Sequence, residues 1–134
     1  LSGAGLELMT SCDNVIRAGL TSKHVDVEEF MIASDFKARR PELLSPCTIG
    51  LAEQVYSTPA DDFCLSIIDL KVGGSFFPKN GPEILLLLGE EGCVRWSGRT
   101  LNLRRGDSLF VPASIGEYRA NGVGQLYRAR LQAE

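Results

Sequence analysis

Residues 83–121, EILLLLGEEGCVRWSGRTLNLRRGDSLFVPASIGEYRAN, decide the fold that we predict for this chain. Short runs of apolar and β-branched residues alternate here with the turn sequences GEEG, SG and RRGD. Turns at intervals of about 8 to 12 residues are typical of a β-sandwich or barrel. The same spacing extends from Pro46 to the C-terminal end, so the sequence predicts a mainly β domain over residues 47–134.

The strands of this domain are predicted from apolar runs bounded by Gly, Asn and Pro. They are EQVYS, FCLSIIDL, GSFF, EILLLLG, CVRWS, TLNL, SLFVP, EYRA and QLYRARL. Side chains alternate between the two faces of a strand, and one face is expected to be buried. The predicted core comprises Phe63, Leu65, Ile67, Leu86, Leu88, Val94, Leu109, Val111 and Leu126.

A motif within this stretch narrows the β class. Gly106, Pro112 and Asn121 have the spacing of the second motif of the cupin jelly roll, which the stretch resembles. Ser114 stands where that motif has a second Gly, and Glu117 stands where it has a His. The resemblance implies a cupin-like jelly roll that departs from the family pattern at its metal-ligating position.

Metal binding by the jelly roll is not expected. Cupin metal sites use clustered imidazoles with a carboxylate. His24 is the only histidine of the chain and lies far from the β region, where a surface or packing role is commoner than ligation. We therefore predict a metal-free jelly roll.

The first 46 residues differ in character from the rest. GLELMTS alternates as a strand does, which places Glu7 on one face. A polar loop follows, and DVEEFMIASDF then has apolar residues at helical spacing, with Asp26 and Glu29 in a helix-capping arrangement. The helix is predicted to end near KARRP, because Pro41 disfavours helical geometry in the preceding residue. The predicted domains are residues 1–46 and residues 47–134.

Composition restricts the classes of function. The chain has 134 residues and a formal net charge of −3, which gives no electrostatic footprint for nucleic acid. No apolar run approaches the ~18 residues that span a bilayer, so no membrane role is expected. Four cysteines without a C-x-x-C pair favour free thiols and a reducing cytoplasm. The start without Met or signal sequence favours a fragment.

The N-terminal stretch carries a second resemblance. GLELMTSCDNVIRAGLTSK resembles a segment of type I phosphomannose isomerases that reads approximately L-E-x-M-x-x-S-D-N-x-x-R-A-G-L-T-P-K. STPADDFCLSIIDL and GPEILLLLGEEG also recur in the C-terminal half of that family, so the resemblance covers nearly the whole chain. Cys12 replaces the usual Ser, and Ser22 replaces a Pro whose loss loosens the turn before Lys23.

This resemblance implies the C-terminal part of an isomerase that interconverts mannose 6-phosphate and fructose 6-phosphate. The family holds zinc with a Gln-x-His pair, a Glu and a His, all N-terminal to the segment matched here. Residues 1–46 would then form one edge of the catalytic cupin. The fragment alone is expected to hold no zinc and to be inactive.

The resemblance also implies the site residues. Arg17, Asp13 and Glu7 are the candidate catalytic residues, and Lys23 and Asn14 the candidate substrate-binding residues. Moving a proton between C2 and C1 of the sugar develops oxyanion charge, which a guanidinium fork stabilises. Lysine offers only a point charge to a phosphate.

The sequence leaves two alternatives open, one for the roles of the loop residues and one for the function of the chain. The first is a structural role for the loop. Asp13 and Asn14 would cap a turn in which Arg17 pairs with Asp13, while Glu7 is a solvated strand residue. The other alternative function is a self-contained, non-catalytic cupin module that binds a sugar or a protein partner, since the fold is compatible with many functions.

Overall fold

The computed structural model describes residues 2–3, 5–12, 15–76, 78 and 81–132. The chain divides into two compact units. The first unit comprises Leu1–Leu8 and Leu44–Glu134, and the second unit comprises Met9–Leu43. No helix among the described residues is long and apolar enough to cross a membrane.

The described part of the second unit contains one short helix, α1 (Val27–Ala33). The Asp26 carboxylate accepts a hydrogen bond of 3.0 Å from the Glu29 backbone N–H, which confirms the predicted cap. The helix ends well before KARRP, because Ser34 adopts an extended backbone. Its hydroxyl donates to the Phe30 carbonyl at 2.6 Å, so local side-chain bonding replaces the next helical turn.

The strand predicted at GLELMTS is not observed. Residues 5–10 have no regular secondary structure. A strand requires a neighbouring backbone to satisfy its N–H and C=O groups, and no ladder joins these residues to another described segment. The alternation of apolar and polar residues therefore predicted a strand, but it carries no information on whether a neighbouring strand is present.

The first unit is built from antiparallel strands, and each strand predicted beyond Pro46 overlaps an observed one. In chain order they are β1 (Cys47–Thr48), β2 (Glu53–Tyr56), β3 (Cys64–Asp69), β4 (Gly74–Phe76), β5 (Glu83–Leu87), β6 (Glu91–Trp96), β7 (Arg99–Arg104), β8 (Ser108–Val111), β9 (Tyr118–Val123) and β10 (Gln125–Arg130). One sheet has the order β1-β2-β3-β10-β5-β8, and the other has the order β4-β9-β6-β7. This two-sheet arrangement confirms the predicted jelly roll.

The core lies between the two sheets and contains side chains from both. Its buried hydrophobic residues are Ile68, Leu70, Phe76, Leu85, Leu87, Val94, Leu103, Val111, Tyr118, Ala120 and Leu126. Val94, Val111 and Leu126 confirm the prediction, and Leu109 packs against the core while partly buried. The fold therefore fixes a single inner face for each sheet.

The predicted inner face was wrong in β3 and β5, and Phe63 before β3 is only half-buried. Leu65, Ile67 and Leu86 are half-buried, and Leu88 is 45% exposed. The buried residues are their neighbours, one position out of phase. A slip of one residue exchanges the two faces of a strand.

Candidate functional site

The most elaborate polar arrangement of the jelly roll is buried in its interior. Five side chains on five strands of the two sheets contribute to it. We call them the interior cluster: Glu53 on β2, Ser66 on β3, Glu83 on β5, Tyr118 on β9 and Arg128 on β10. All five residues are buried, so each polar atom depends on protein partners for its hydrogen bonds.

Arg128 lies at the centre of the interior cluster. Its Nε donates to Glu83 Oε2 at 2.9 Å, and its Nη2 donates to Glu83 Oε1, which forms a two-pronged contact. Its Nη1 donates to both carboxylate oxygens of Glu53, at 3.0 and 3.2 Å. One guanidinium thus binds two carboxylates, a geometry that lysine cannot reproduce.

Two hydroxyl groups donate further hydrogen bonds to the carboxylates of Glu53 and Glu83. Tyr118 Oη donates to Glu83 Oε2 at 2.7 Å, and Ser66 Oγ donates to Glu53 Oε1 at 2.5 Å. Burial raises the pKa of the Tyr118 hydroxyl above its ordinary value of 10.0, a shift that the Arg128 charge opposes and the hydrogen bond to Glu83 increases. Tyr118 therefore stays a neutral donor at neutral pH.

Opposing effects act on the Arg128 guanidinium. Burial lowers the pKa of Arg128, but the hydrogen bond to Glu83 and the surrounding negative charge outweigh it, so the net shift is upward. Phe76 covers the group, with its ring centroid 5.3 Å from the guanidinium carbon. The result is a permanent buried cation between two carboxylates.

The interior cluster does not fit a metal ion. The positive charge of Arg128 already occupies the position between Glu53 and Glu83. Among the described residues, no three His, Cys, Asp or Glu side chains are grouped as metal ligands. His24 is exposed in the other unit. The donor set of the described residues therefore does not provide a zinc site.

In the cupin-like motif, the residue at the position of the metal-ligating His does not face the interior of the jelly roll. Glu117, at the position of the missing His, is exposed and lies 3.7 Å from Arg119 in an ion pair. The next residue, Tyr118, is the one that points into the jelly roll. Glu117 directly precedes β9, and neighbouring residues of an extended backbone point to opposite sides.

The site residues predicted from the N-terminal stretch are placed as follows. Glu7 is exposed in the first unit, whereas Arg17 is half-buried and Lys23 exposed in the second. The Lys23 backbone N–H donates to Thr21 Oγ1 at 3.2 Å, which orders the turn in the absence of a proline. In the described part of the second unit, the side chains of Arg17 and Lys23 share no hydrogen bond or ion pair.

Asp13 and Asn14 lie outside the described residues, so the predicted roles of these two residues stay predictions. The alternative in which Asp13 pairs with Arg17 stays open for the same reason. Cys12, beside them, is exposed.

Sequence reasoning missed the interior cluster, although a signal for it exists. Glu83 alternates with Leu85 and Leu87, and all three are buried. Arg128 alternates in the same way with Leu126 on β10. A charged residue in phase with buried leucines is expected to be buried, and a buried charge requires a partner of opposite charge.

Comparisons with known proteins agree with both resemblances. Residues 52–131 match the family model described as mannose-6-phosphate isomerase, cupin domain. Mannose-6-phosphate isomerase of Salmonella typhimurium is 34% identical over 96% of this chain and 33% of its own length. Mannose-6-phosphate isomerase 2 of Arabidopsis thaliana is 38% identical over 99% of this chain and 31% of its own length.

A solved structure is similar over the same region. Mannose 6-phosphate isomerase from Salmonella typhimurium, bound to its substrate and a zinc atom, matches with a TM-score of 0.76 and 32% identity. The match covers 90% of this chain and 31% of that one. The chain thus spans about a third of the length of the curated relatives it matches. It belongs to the mannose-6-phosphate isomerase family and carries that family's cupin domain.

Proposed function

We propose that this chain is the C-terminal part of a zinc-dependent isomerase that interconverts mannose 6-phosphate and fructose 6-phosphate. The observation that carries the proposal is the extent of the similarity. Relatives with this activity in their names match 96% to 99% of the chain, so the match includes the Arg17 loop as well as the jelly roll. A shared jelly roll alone would support only a shared fold.

The first 46 residues form one edge of the catalytic cupin in this proposal. Arg17 binds the oxyanion that develops on the sugar, or the phosphate, through its forked donors. Lys23 contacts the phosphate as a point charge, and Asn14 binds the substrate. Asp13 and Glu7 are the carboxylates that move the proton or orient the groups that move it. The zinc ligands lie outside this chain.

Residues 47–134 form a jelly roll whose interior is structural. The Glu53–Arg128–Glu83 contacts lie in the interior, the region in which small β-barrels hold a ligand. This disfavours the alternative function of a self-contained cupin module with an interior binding site. The proposed ligand is a small sugar phosphate, and no binding to nucleic acid or to a membrane is proposed. The proposed location is the cytoplasm.

Two measurements on the 134-residue chain test this proposal. After dialysis, elemental analysis is expected to find no stoichiometric zinc, because a chain with a single His and no Gln-x-His pair cannot build the zinc site of this family. A coupled assay is expected to find no turnover of mannose 6-phosphate. One zinc per chain would contradict the placement of the ligands elsewhere. Turnover by the chain alone would contradict the division of the active site.

A further inference from the structure

The outer face of the four-stranded sheet carries a row of hydroxyls and guanidinia. Across β4, β9, β6 and β7, Ser75 lies opposite Arg119, Arg119 opposite Arg95, and Arg95 opposite Thr100. Residues directly opposite one another in antiparallel strands point to the same face. All four are exposed, so the row presents hydrogen-bond donors to solvent.

Two like charges are neighbours in this row. Arg119 and Arg95 are directly opposite on adjacent strands, an arrangement that destabilises a sheet when nothing neutralises it. The carboxylate beside them is Glu117, 3.7 Å from the Arg119 Nε. Both partners of that ion pair are largely exposed, so solvent screens it and it neutralises little.

A cavity of about 340 Å³ lies beside the row. Arg95, Arg119, Thr100 and Arg99 contribute to its lining, together with Trp96. The two guanidinia of the row thus share this cavity with one carboxylate, although the whole chain has a net charge of −3. The volume is at the lower end of the range that holds small ligands.

We propose that this cavity binds the phosphate group of a small phosphomonoester. Paired guanidinia provide the forked donors that match phosphate oxygens, and the flanking Thr100 adds a hydroxyl donor. A bound dianion would relieve the repulsion between Arg95 and Arg119. This site lies on the jelly roll, whereas Arg17 belongs to the other unit. The proposal rests on register, charge and cavity, and does not depend on the isomerase assignment.

Trp96, the single tryptophan of the chain, belongs to the cavity lining and also packs against the core, so its fluorescence reports on this end of β6. We would titrate the chain with inorganic phosphate, fructose 6-phosphate or fructose at constant ionic strength, and follow Trp96 fluorescence and binding heat. A saturable signal is expected with the two phosphates and none with fructose. Arg95→Gln and Arg119→Gln should each weaken binding about tenfold or more, as expected for lost charged hydrogen bonds.

Arg104→Gln is the matched control, because Arg104 is an exposed arginine at the other end of β7. It should bind phosphate as the unchanged chain does. Arg95→Lys keeps the charge but loses the fork, and should weaken binding less than Arg95→Gln. The proposal is overturned if neither fluorescence nor calorimetry detects saturable phosphate binding, if fructose binds equally, or if Arg104→Gln weakens binding as much as Arg95→Gln. Any of these outcomes would leave the isomerase proposal standing.

Discussion

Replacing Arg128 by methionine should strongly destabilise the jelly roll. Methionine keeps much of the side chain's apolar bulk but removes the donors that bind Glu53 and Glu83. These carboxylates are 10% and 2% exposed, so water cannot replace the guanidinium. Glu53 would keep the Ser66 hydroxyl, and Glu83 the Tyr118 hydroxyl. Each buried carboxylate would then lose the guanidinium that pairs with it.

The expected loss in the free energy of unfolding is about 3–5 kcal/mol, the cost of removing one partner from a buried ion pair. For a domain of this size, that lowers the melting temperature by roughly 15–25 °C. Urea unfolding followed by circular dichroism measures the free energy, and calorimetry measures the melting temperature. Arg104→Met is the control, and should change stability by less than about 0.5 kcal/mol because Arg104 is exposed.

A second variant separates the loss of charge pairing from the loss of packing. Adding Glu53→Gln and Glu83→Gln to Arg128→Met removes both unpaired charges, and should recover part of the lost stability. If Arg128→Met costs less than about 1 kcal/mol, the interior cluster does not stabilise the fold as its geometry indicates. If the triple variant is less stable than Arg128→Met, the unpaired charges are not the cause.

Two further predictions concern the same unit. Tyr118→Phe should cost about 1.5–3 kcal/mol at neutral pH, because Glu83 loses a donor. Since the folded pKa of Tyr118 is raised, the unfolded chain alone loses this proton above about pH 10, and stability should fall as pH rises from there. Urea unfolding at about pH 9 and pH 11, on either side of that value, should show a smaller fall in Tyr118→Phe, and an equal fall would contradict the assignment. Gly89→Ala should cost about 1–3 kcal/mol, because a Cβ would lie 2.4 Å from the Val123 carbonyl oxygen. Gly50→Ala, which meets nothing within 4 Å, is its control and should be nearly neutral in the same urea assay.

The strands and the helix cap were predictable because their signals are local. Turn residues separate the successive strands from β2 to β10. The Asp26 carboxylate caps α1 by accepting from a backbone N–H only three residues later. The inner faces of β3 and β5 were not predictable from apolar alternation. Both faces of these strands are apolar in places, while the inner face also carries Ser66 and Glu83. Because polar residues are buried on the inner face, apolar alternation assigned the core to the wrong face of these two strands.

The interior cluster depends on contacts between residues far apart in the chain. Arg128 and Glu53 are separated by 75 positions, and no local pattern pairs them. The Arg17 loop, in contrast, was identified by resemblance and not by geometry. In the proposed function this loop works with zinc ligands that lie outside the chain, so neither the sequence nor the fold of this chain completes the site.

The central claim is that this chain supplies Arg17 to the active site of the isomerase that contains it. The most direct measurement is kcat and KM for mannose 6-phosphate with Arg17→Ala in that whole enzyme, beside Arg40→Ala as an exposed arginine of the same unit. We expect kcat to fall by about 10²–10³ if Arg17 stabilises charge in the transition state. A raised KM with little change in kcat would instead indicate uniform phosphate binding. Near-normal values of both constants would contradict the claim.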